Sequence, residues 1–247
     1  MELVLLRHGY TQWNKERRYL GRTDLPLLPG EAHRLADLRL QSALSGEFQQ
    51  VYCSDLRRCR ETLTILTPHL EQKAVYDSRM REMDFGAWEG CTYEQLQDNG
   101  HYRNWIDHPE SVTPPEGESW EDFTGRVEAV WGQLQREAEL GIEARAETDA
   151  TGSVAALPGA DSASREECVQ GRDMPKTTAR ELESKQAPVV YRVLLVTHGG
   201  VIRQLLARII EGVTFYTAAA PAPGEVTVLH LRKVGGSWRM AAENANG

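Results

Sequence analysis

No run of apolar residues in this 247-residue chain approaches the roughly twenty needed to cross a membrane as a helix. Met1-Glu2 leads straight into a strand-like run, without the basic start and apolar core of a secretory leader. Cysteine is scarce: Cys53, Cys59, Cys91 and Cys168 never stand two residues apart from one another, so neither a zinc site nor a disulfide framework is indicated. Positive charge is in deficit, 28 Lys and Arg against 36 Asp and Glu, for a net charge of −8. That balance argues against nucleic acid or an anionic membrane as partner. We expect a cytoplasmic protein, a monomer or homodimer, with a small phosphorylated metabolite rather than a macromolecule as its partner. Aromatic residues are missing from Trp131 to Tyr191. Within that gap residues 139–188 are rich in Ala, Glu, Ser, Thr and Gly, and we expect a flexible insertion there, cut readily by protease, inside a single domain spanning 1–247.

What is present is organised around Leu3-Val4-Leu5-Leu6-Arg7-His8-Gly9. An unbroken apolar run suits a strand buried on both faces of a parallel sheet. Arg7 and His8 then fall at its carboxyl end, where open α/β sheets bind ligands, with Gly9 permitting the chain to turn. The pattern recurs at Val193-Leu194-Leu195-Val196-Thr197-His198-Gly199-Gly200. Two such strand ends would set two imidazoles side by side. A guanidinium beside them favours an anion, phosphate first, because its fork of donors matches phosphate oxygens.

Between these ends the chain alternates strand-like and helix-like segments, which predicts a three-layer α/β/α sandwich with a mostly parallel central sheet. A helix is expected over Glu31–Leu44. Val51-Tyr52-Cys53 reads as a strand and Ser54 as the N-cap of the next helix, with Asp55 suiting the helix dipole. Leu56, Cys59, Leu63 and Leu66 mark its buried face. Of Arg57, Arg58 and Arg60 in its first turn, Arg58 is taken to face His8. Met80 to Gly90 is too irregular for a helix and suits a site wall carrying Glu82. Thr92 with Gln95 forms a capping box. His101 to His108, with Tyr102 and Trp105, suits a cap over the pocket. Ser119 caps a helix bearing Trp120, Phe123, Val127, Trp131 and Leu134. Val201–Ile210 is a packed helix, Glu225–Leu231 a strand, and Trp238 closes a hairpin.

Were His8, His198, Arg7 and Arg58 to share a site, a neutral His8 could attack phosphorus in line and form a phosphohistidine. Glu82 could protonate the leaving alkoxide, then act as base for the hydrolytic step. Neither a metal nor another cofactor is called for.

Leu6-Arg7-His8-Gly9-Tyr10-Thr11-Gln12-Trp13-Asn14 resembles the signature of the histidine phosphatase superfamily, in its phosphoglycerate-mutase-like branch. The likeness continues through Gly21, Asp24-Leu25-Pro26-Leu27, Ser54-Asp55-Leu56 with Arg58 and Thr62, Glu82 with Phe85 to Gly90, Gly117-Glu118-Ser119, Arg126, and His198 to Arg203. It implies that His8 is the phosphorylated nucleophile and Glu82 the proton donor. Arg7, Arg58 and His198 would form the phosphate pocket, with Asn14, Gly21 and Gly199 as further contacts. The usual Glu of the first motif is replaced by Tyr10, which should alter the rim of the site more than its chemistry.

Mutases of this kind carry a basic segment after the Glu loop. Here residues 98–118 hold Arg103 as their one fixed positive charge among Asp98, Asp107, Glu110, Glu116 and Glu118. A phosphatase acting on a monophosphate with a less charged body is therefore expected, and Trp13, Tyr102 and Trp105 could stack on a ring. Residues 21–27, 81–90 and 114–118 resemble most the α-ribazole phosphatases of cobalamin assembly. Broad-specificity sugar phosphatases share much of the pattern, and a phosphoglycerate mutase or an inactive phosphate-binding module are the other readings.

Overall fold

The structure, a computed structural model, describes residues 1–38, 42–151 and 190–241. The first apolar run forms strand β1 (Glu2–Arg7), and Leu3, Val4, Leu5 and Leu6 have no exposed surface. Then come α1 (Gln12–Lys15), α2 (Glu31–Asp37), β2 (Gln50–Cys53), α3 (Arg57–Leu66), β3 (Val75–Tyr76), α4 (Tyr93–Leu96) and α5 (Gly100–Asp107). A long helix α6 (Trp120–Thr151), β4 (Arg192–Thr197), α7 (Gly199–Ile209) and the strands β5 (Val226–Val234) and β6 (Ser237–Met240) complete the order.

The sheet order is β3-β2-β4-β1-β5-β6. The first four strands are parallel, and β5 and β6 run antiparallel. Side chains alternate across it. Leu3, Leu5, Val193 and Leu195 pack with Phe123, Val127, Val201 and Leu205 of α6 and α7. Val4, Leu6, Leu194 and Val196 pack on the other side with Leu35 of α2 and Leu63 of α3. Helices thus cover both faces, giving the expected three layers, and each fully buried Leu or Val contributes about 1.5–3 kcal/mol. The parallel pair β1–β4 fixes the site: Arg7 lies opposite Thr197, and the His8 N–H donates to the Thr197 carbonyl at 3.0 Å. His8 and His198 therefore leave the sheet at one level.

Several expectations shift. The helix predicted over Glu31–Leu44 ends at Asp37, a 3₁₀ turn follows at Ser42–Leu44, and Leu40 lies outside the described residues. Within α2 Leu35 is buried while Ala32 and Ala36 face out, since two turns present little more than one apolar side chain to the sheet. Helix α6 continues to Thr151, into the stretch read as an insertion. Ala, Glu, Leu and Arg there are strong helix formers whatever the want of aromatics. The remainder of that stretch, 152–188, and the protease expectation attached to it, lie outside the described residues. The capping boxes at Thr92 and the cap at Ser119 form as read. Ser54 does not cap α3: Leu56 holds that position without a side-chain bond. Among the described residues no helix is long and apolar enough to cross a membrane.

Candidate active site

The two imidazoles meet, with ring centroids 5.1 Å apart and planes inclined at 58°. His8 Nδ1 lies 2.7 Å from the Gly9 carbonyl. A carbonyl only accepts, so Nδ1 carries the proton and Nε2 keeps its lone pair. Burial, then the Arg58 charge, holds the His8 pKa well below the usual histidine range, and the bond to Gly9 opposes them. His8 is thus neutral at physiological pH. Gly9 is required less for its backbone angles than for space: a Cβ there would lie 2.8 Å from the Glu31 Oε1 and 3.0 Å from the Leu35 Cδ1.

Arg58 has no exposed surface. Its Nε donates to His198 Nδ1 at 3.2 Å, and its two terminal nitrogens donate to the carbonyls of Thr23 (2.8 Å) and Gly21 (2.6 Å). A guanidinium cannot accept, so His198 must carry its proton on Nε2, 2.8 Å from Ser54 Oγ. That is where the expected cap residue spends its hydroxyl. His198, too, is held well below the usual histidine range, by burial first and by Arg58 next. With both nitrogens engaged, it packs against His8 and orients Arg58; no N–H is left over for an anion.

Arg7 supplies that donor. Its Nη1 donates to the Pro221 carbonyl at 3.1 Å, whereas Nε is buried without a partner. Its guanidinium lies over Gly199, where a Cβ would stand 3.2 Å from the Arg7 Cζ. Glu82 sits at the start of α7: Oε2 accepts from the Gly200 N–H at 2.8 Å and Oε1 from the Met83 N–H at 3.0 Å. Any side chain at position 200 would overlap that carboxylate.

A cavity of about 460 Å³ opens beside these groups. Arg7, Glu82, Gly199, Gly200 and Arg203 form one end, and Tyr19, Phe85, Trp105, Trp120, Phe215 and Tyr216 form most of the remainder. His8 (4% exposed), Arg58 and His198 lie behind this lining rather than in it. Tyr102, read as a possible stacking residue, is instead wholly buried against Trp88, ring centroids 5.3 Å apart. Trp13 packs on Gly90, away from the cavity lining.

Asn14 and Gly21 take other places than direct contact. Asn14 Oδ1 accepts from the N–H and hydroxyl of Thr11, closing a capping box on α1. Gly21 presents its carbonyl to Arg58, and a Cβ there would overlap the Met83 carbonyl. Glu89 fixes the same loop from its other side, accepting from the N–H groups of Arg22 and Thr23 at 2.7 Å each. Tyr10 lies under Arg34, 5.2 Å from guanidinium carbon to ring centroid, and its N–H donates to buried Glu31 at 2.7 Å.

Other supports carried no sequence signal of their role. Arg126 grips Glu118 through two bonds of 2.6 and 2.8 Å and donates to the carbonyls of Arg79, Arg81 and Glu82. It thereby holds the loop that aims Glu82. Thr62 accepts from the Gly9 N–H at 2.9 Å and donates to the Arg58 carbonyl, tying α3 to the turn after His8. Among the described residues no cluster of three or more His, Cys, Asp or Glu is arranged to hold a metal ion.

Two depressed imidazoles make stability depend on pH. The unfolded chain takes up protons near pH 6.5 and the folded chain only well below that, so stability is full above pH 6.5 and is lost as pH falls. Between pH 6.5 and about 5, unfolding by urea should show stability dropping by about 2–3 kcal/mol per pH unit. A slope of zero there would mean that the rings are not held neutral.

Comparison with known proteins agrees with this geometry. The profile of the histidine phosphatase superfamily (branch 1) matches residues 3–142. A bifunctional protein of Mycobacterium tuberculosis is 35% identical over 127 residues, 51% of this chain and 35% of that one. A probable phosphoglycerate mutase of Enterobacter sp. is 31% identical over 132 residues, 53% of this chain and 61% of that one. The chain thus spans between about a third and three fifths of the curated relatives it matches. Among solved structures, a putative α-ribazole-5′-P phosphatase of Escherichia coli superposes with a TM-score of 0.68 at 21% identity, over 100% of this chain and 98% of the other. The α-ribazole phosphatase of Shigella flexneri gives 0.66 at 21%, over 99% and 100%. At such identity these two likenesses speak for the fold alone, a phosphoglycerate-mutase-like α/β sandwich. The matched segment carries Arg7, His8, Arg58 and Glu82 in the arrangement described above, and the chain belongs to the histidine phosphatase superfamily, branch 1.

Proposed function

We propose that the protein is a phosphomonoesterase that works through a phosphohistidine on His8, with α-ribazole 5′-phosphate as its substrate. The observation that carries the reaction is the buried, unpartnered Arg7 Nε beside a neutral His8 whose Nε2 lone pair is unclaimed. A buried donor without an acceptor costs stability, and a phosphate oxygen would satisfy it.

His8 Nε2 attacks phosphorus, and the ester P–O bond breaks in line. The leaving alkoxide takes its proton from Glu82. Water then attacks the phosphohistidine; Glu82 takes the water proton, the P–N bond breaks, and inorganic phosphate leaves with His8 restored. Arg7 and Arg58 offset the charge on the transferring group. His198 keeps Arg58 in place and shields His8 from water. Gly21 and Asn14 shape the loops around this pocket.

The lining of the cavity supports the substrate. Beyond Arg7 and Arg203 it offers no fixed positive charge, and its walls are aromatic. A sugar acid with two phosphates would find little there; a benzimidazole riboside monophosphate would find rings to stack on. Two of the solved structures that superpose on this chain carry the α-ribazole phosphatase name. The substrate is tested by kcat/KM for α-ribazole 5′-phosphate, 3-phosphoglycerate and p-nitrophenyl phosphate. We expect the first to exceed the others by about tenfold or more, the worth of one well-placed contact of 1.4 kcal/mol. Equal values on all three would remove this substrate and leave a broad-specificity phosphatase.

A further inference from the structure

The peptide unit between Gly9 and Tyr10 is engaged on both sides. Its carbonyl accepts from His8 Nδ1 at 2.7 Å, and its N–H donates to Glu31 Oε1, also at 2.7 Å. The unit is planar and trans, so the two bonds leave it in opposite directions. Imidazole, peptide and carboxylate thus form one continuous line. Glu31 is firmly held there. It is 6% exposed, and Arg34 donates to it from Nε at 3.0 Å and from Nη2 at 2.6 Å. The same Nη2 reaches the Pro223 carbonyl at 2.7 Å. An ion pair three residues apart on one helix forms readily at the surface, and desolvating it costs stability. Fastening α2 does not require a charge at this depth. The close approach also explains the glycine before Tyr10, since a Cβ there would stand 2.8 Å from Glu31 Oε1.

We infer that Glu31 is a positioning residue for phosphoryl transfer, acting through the Gly9–Tyr10 peptide on His8. This rests on the phosphohistidine reading and deepens it. As Nε2 bonds to phosphorus and the ester P–O bond breaks, the ring gives up electron density and becomes cationic. Its Nδ1–H then donates more strongly, and the bond to the Gly9 carbonyl tightens. A peptide whose N–H already meets a carboxylate is polarised, and its oxygen is the better acceptor. Glu31 therefore favours the charged ring more than the neutral one. Nδ1 keeps its proton throughout, and Glu31 takes none up. A serine protease places a carboxylate directly behind its histidine for the same purpose; here one peptide unit stands between them.

The test compares inhibition by orthovanadate and by inorganic phosphate, with p-nitrophenyl phosphate as reporter, in wild type and Glu31→Gln. Vanadate takes the imidazole nitrogen as a fifth ligand and mimics phosphorus in transit, whereas phosphate fills only the resting pocket. Gln keeps an acceptor for the Tyr10 N–H and removes the charge. In Glu31→Gln the vanadate Ki should rise about tenfold, as a charge-assisted bond becomes a neutral one, and the phosphate Ki by less than about twofold. The kcat should fall about tenfold with KM nearly unchanged. A carboxylate that only fastens α2 predicts that both inhibitors weaken alike. A second measurement needs no variant to fold: in wild type, vanadate should move the Tyr10 amide proton downfield as the bond to Glu31 tightens, and phosphate should move it far less. Equal loss of both inhibitors, an unchanged vanadate Ki, or a Tyr10 resonance that answers to both anions alike overturns the inference while leaving a working phosphatase. A wild type that neither hydrolyses the reporter nor acquires phosphate from it would overturn the phosphatase reading itself.

Discussion

His8→Ala is expected to abolish phosphate-ester hydrolysis, lowering kcat by about 10⁴-fold or more, since the nucleophile and its partners act as a unit. It should also abolish covalent phosphate. Wild type quenched during turnover should carry phosphate that is lost in acid and kept in base, as a phosphohistidine requires, and the variant should carry none. His8→Gln should be equally dead. The ring removed is neutral and buried, so the fold survives its loss at the cost of a partly filled cavity, about 1–3 kcal/mol. Unchanged turnover in His8→Ala, together with no phosphate on wild type, would favour a protein that binds phosphorylated ligands without cleaving them.

Arg58→Met has the second largest effect and touches both stability and catalysis. The guanidinium satisfies three acceptors at once: the buried Gly21 carbonyl and His198 Nδ1, and the partly buried Thr23 carbonyl. Each acceptor left without a donor costs about 1–3 kcal/mol, partly offset because a desolvated cation is also removed, for a net loss of about 3 kcal/mol. Activity should fall about 10³-fold, as for loss of one fixed charge from a transition-state cradle. The variant also tests the electrostatics. Arg58 follows burial as a cause of the depressed histidine pKa values, so without it both rings take protons more readily. Folded and unfolded values draw together, and the decline in stability below pH 6.5 flattens. Arg58→Lys keeps the charge without the fork, so it should keep the pH slope and still lose about 10²-fold in activity. Urea midpoints from pH 5 to 7.5 on the three proteins decide this, and equal slopes in wild type and Arg58→Met would refute it.

How much of this could be read from residues alone depends on what each residue answers to. The strand ends were legible because an apolar run that stops at Arg-His-Gly has one sensible place in a parallel sheet, and two copies set two rings together. Glu82 was legible as an acidic residue in an irregular, aromatic loop. The partners were not. Ser54 satisfies the pattern of a helix cap as well as it satisfies His198, and only the path of β4 decides between them. Asn14 suits a phosphate contact and also a capping box, and the nearer partner, Thr11, takes it. Arg126 stands among the residues of the family resemblance, but its partners, the carbonyls of the loop from Arg79 to Glu82, show only once that loop is folded against it. Helix α2 was overextended because spacing reveals which side chains would share a face but not where the sheet beneath them ends.

Side by side in the sheet, β1 and β4 also set how this site can fail. Strand positions are discrete: sliding β4 by one residue would carry His198 about 3.3 Å along and turn every neighbouring side chain to the opposite face. Val193 to Val196, sealed on both sides, tolerate no such step. The spacing between nucleophile and companion ring is therefore quantised rather than adjustable. Sequence drift in the flanking helices can loosen or tighten the walls, but a small error in the distance between the rings has no strand setting to correspond to.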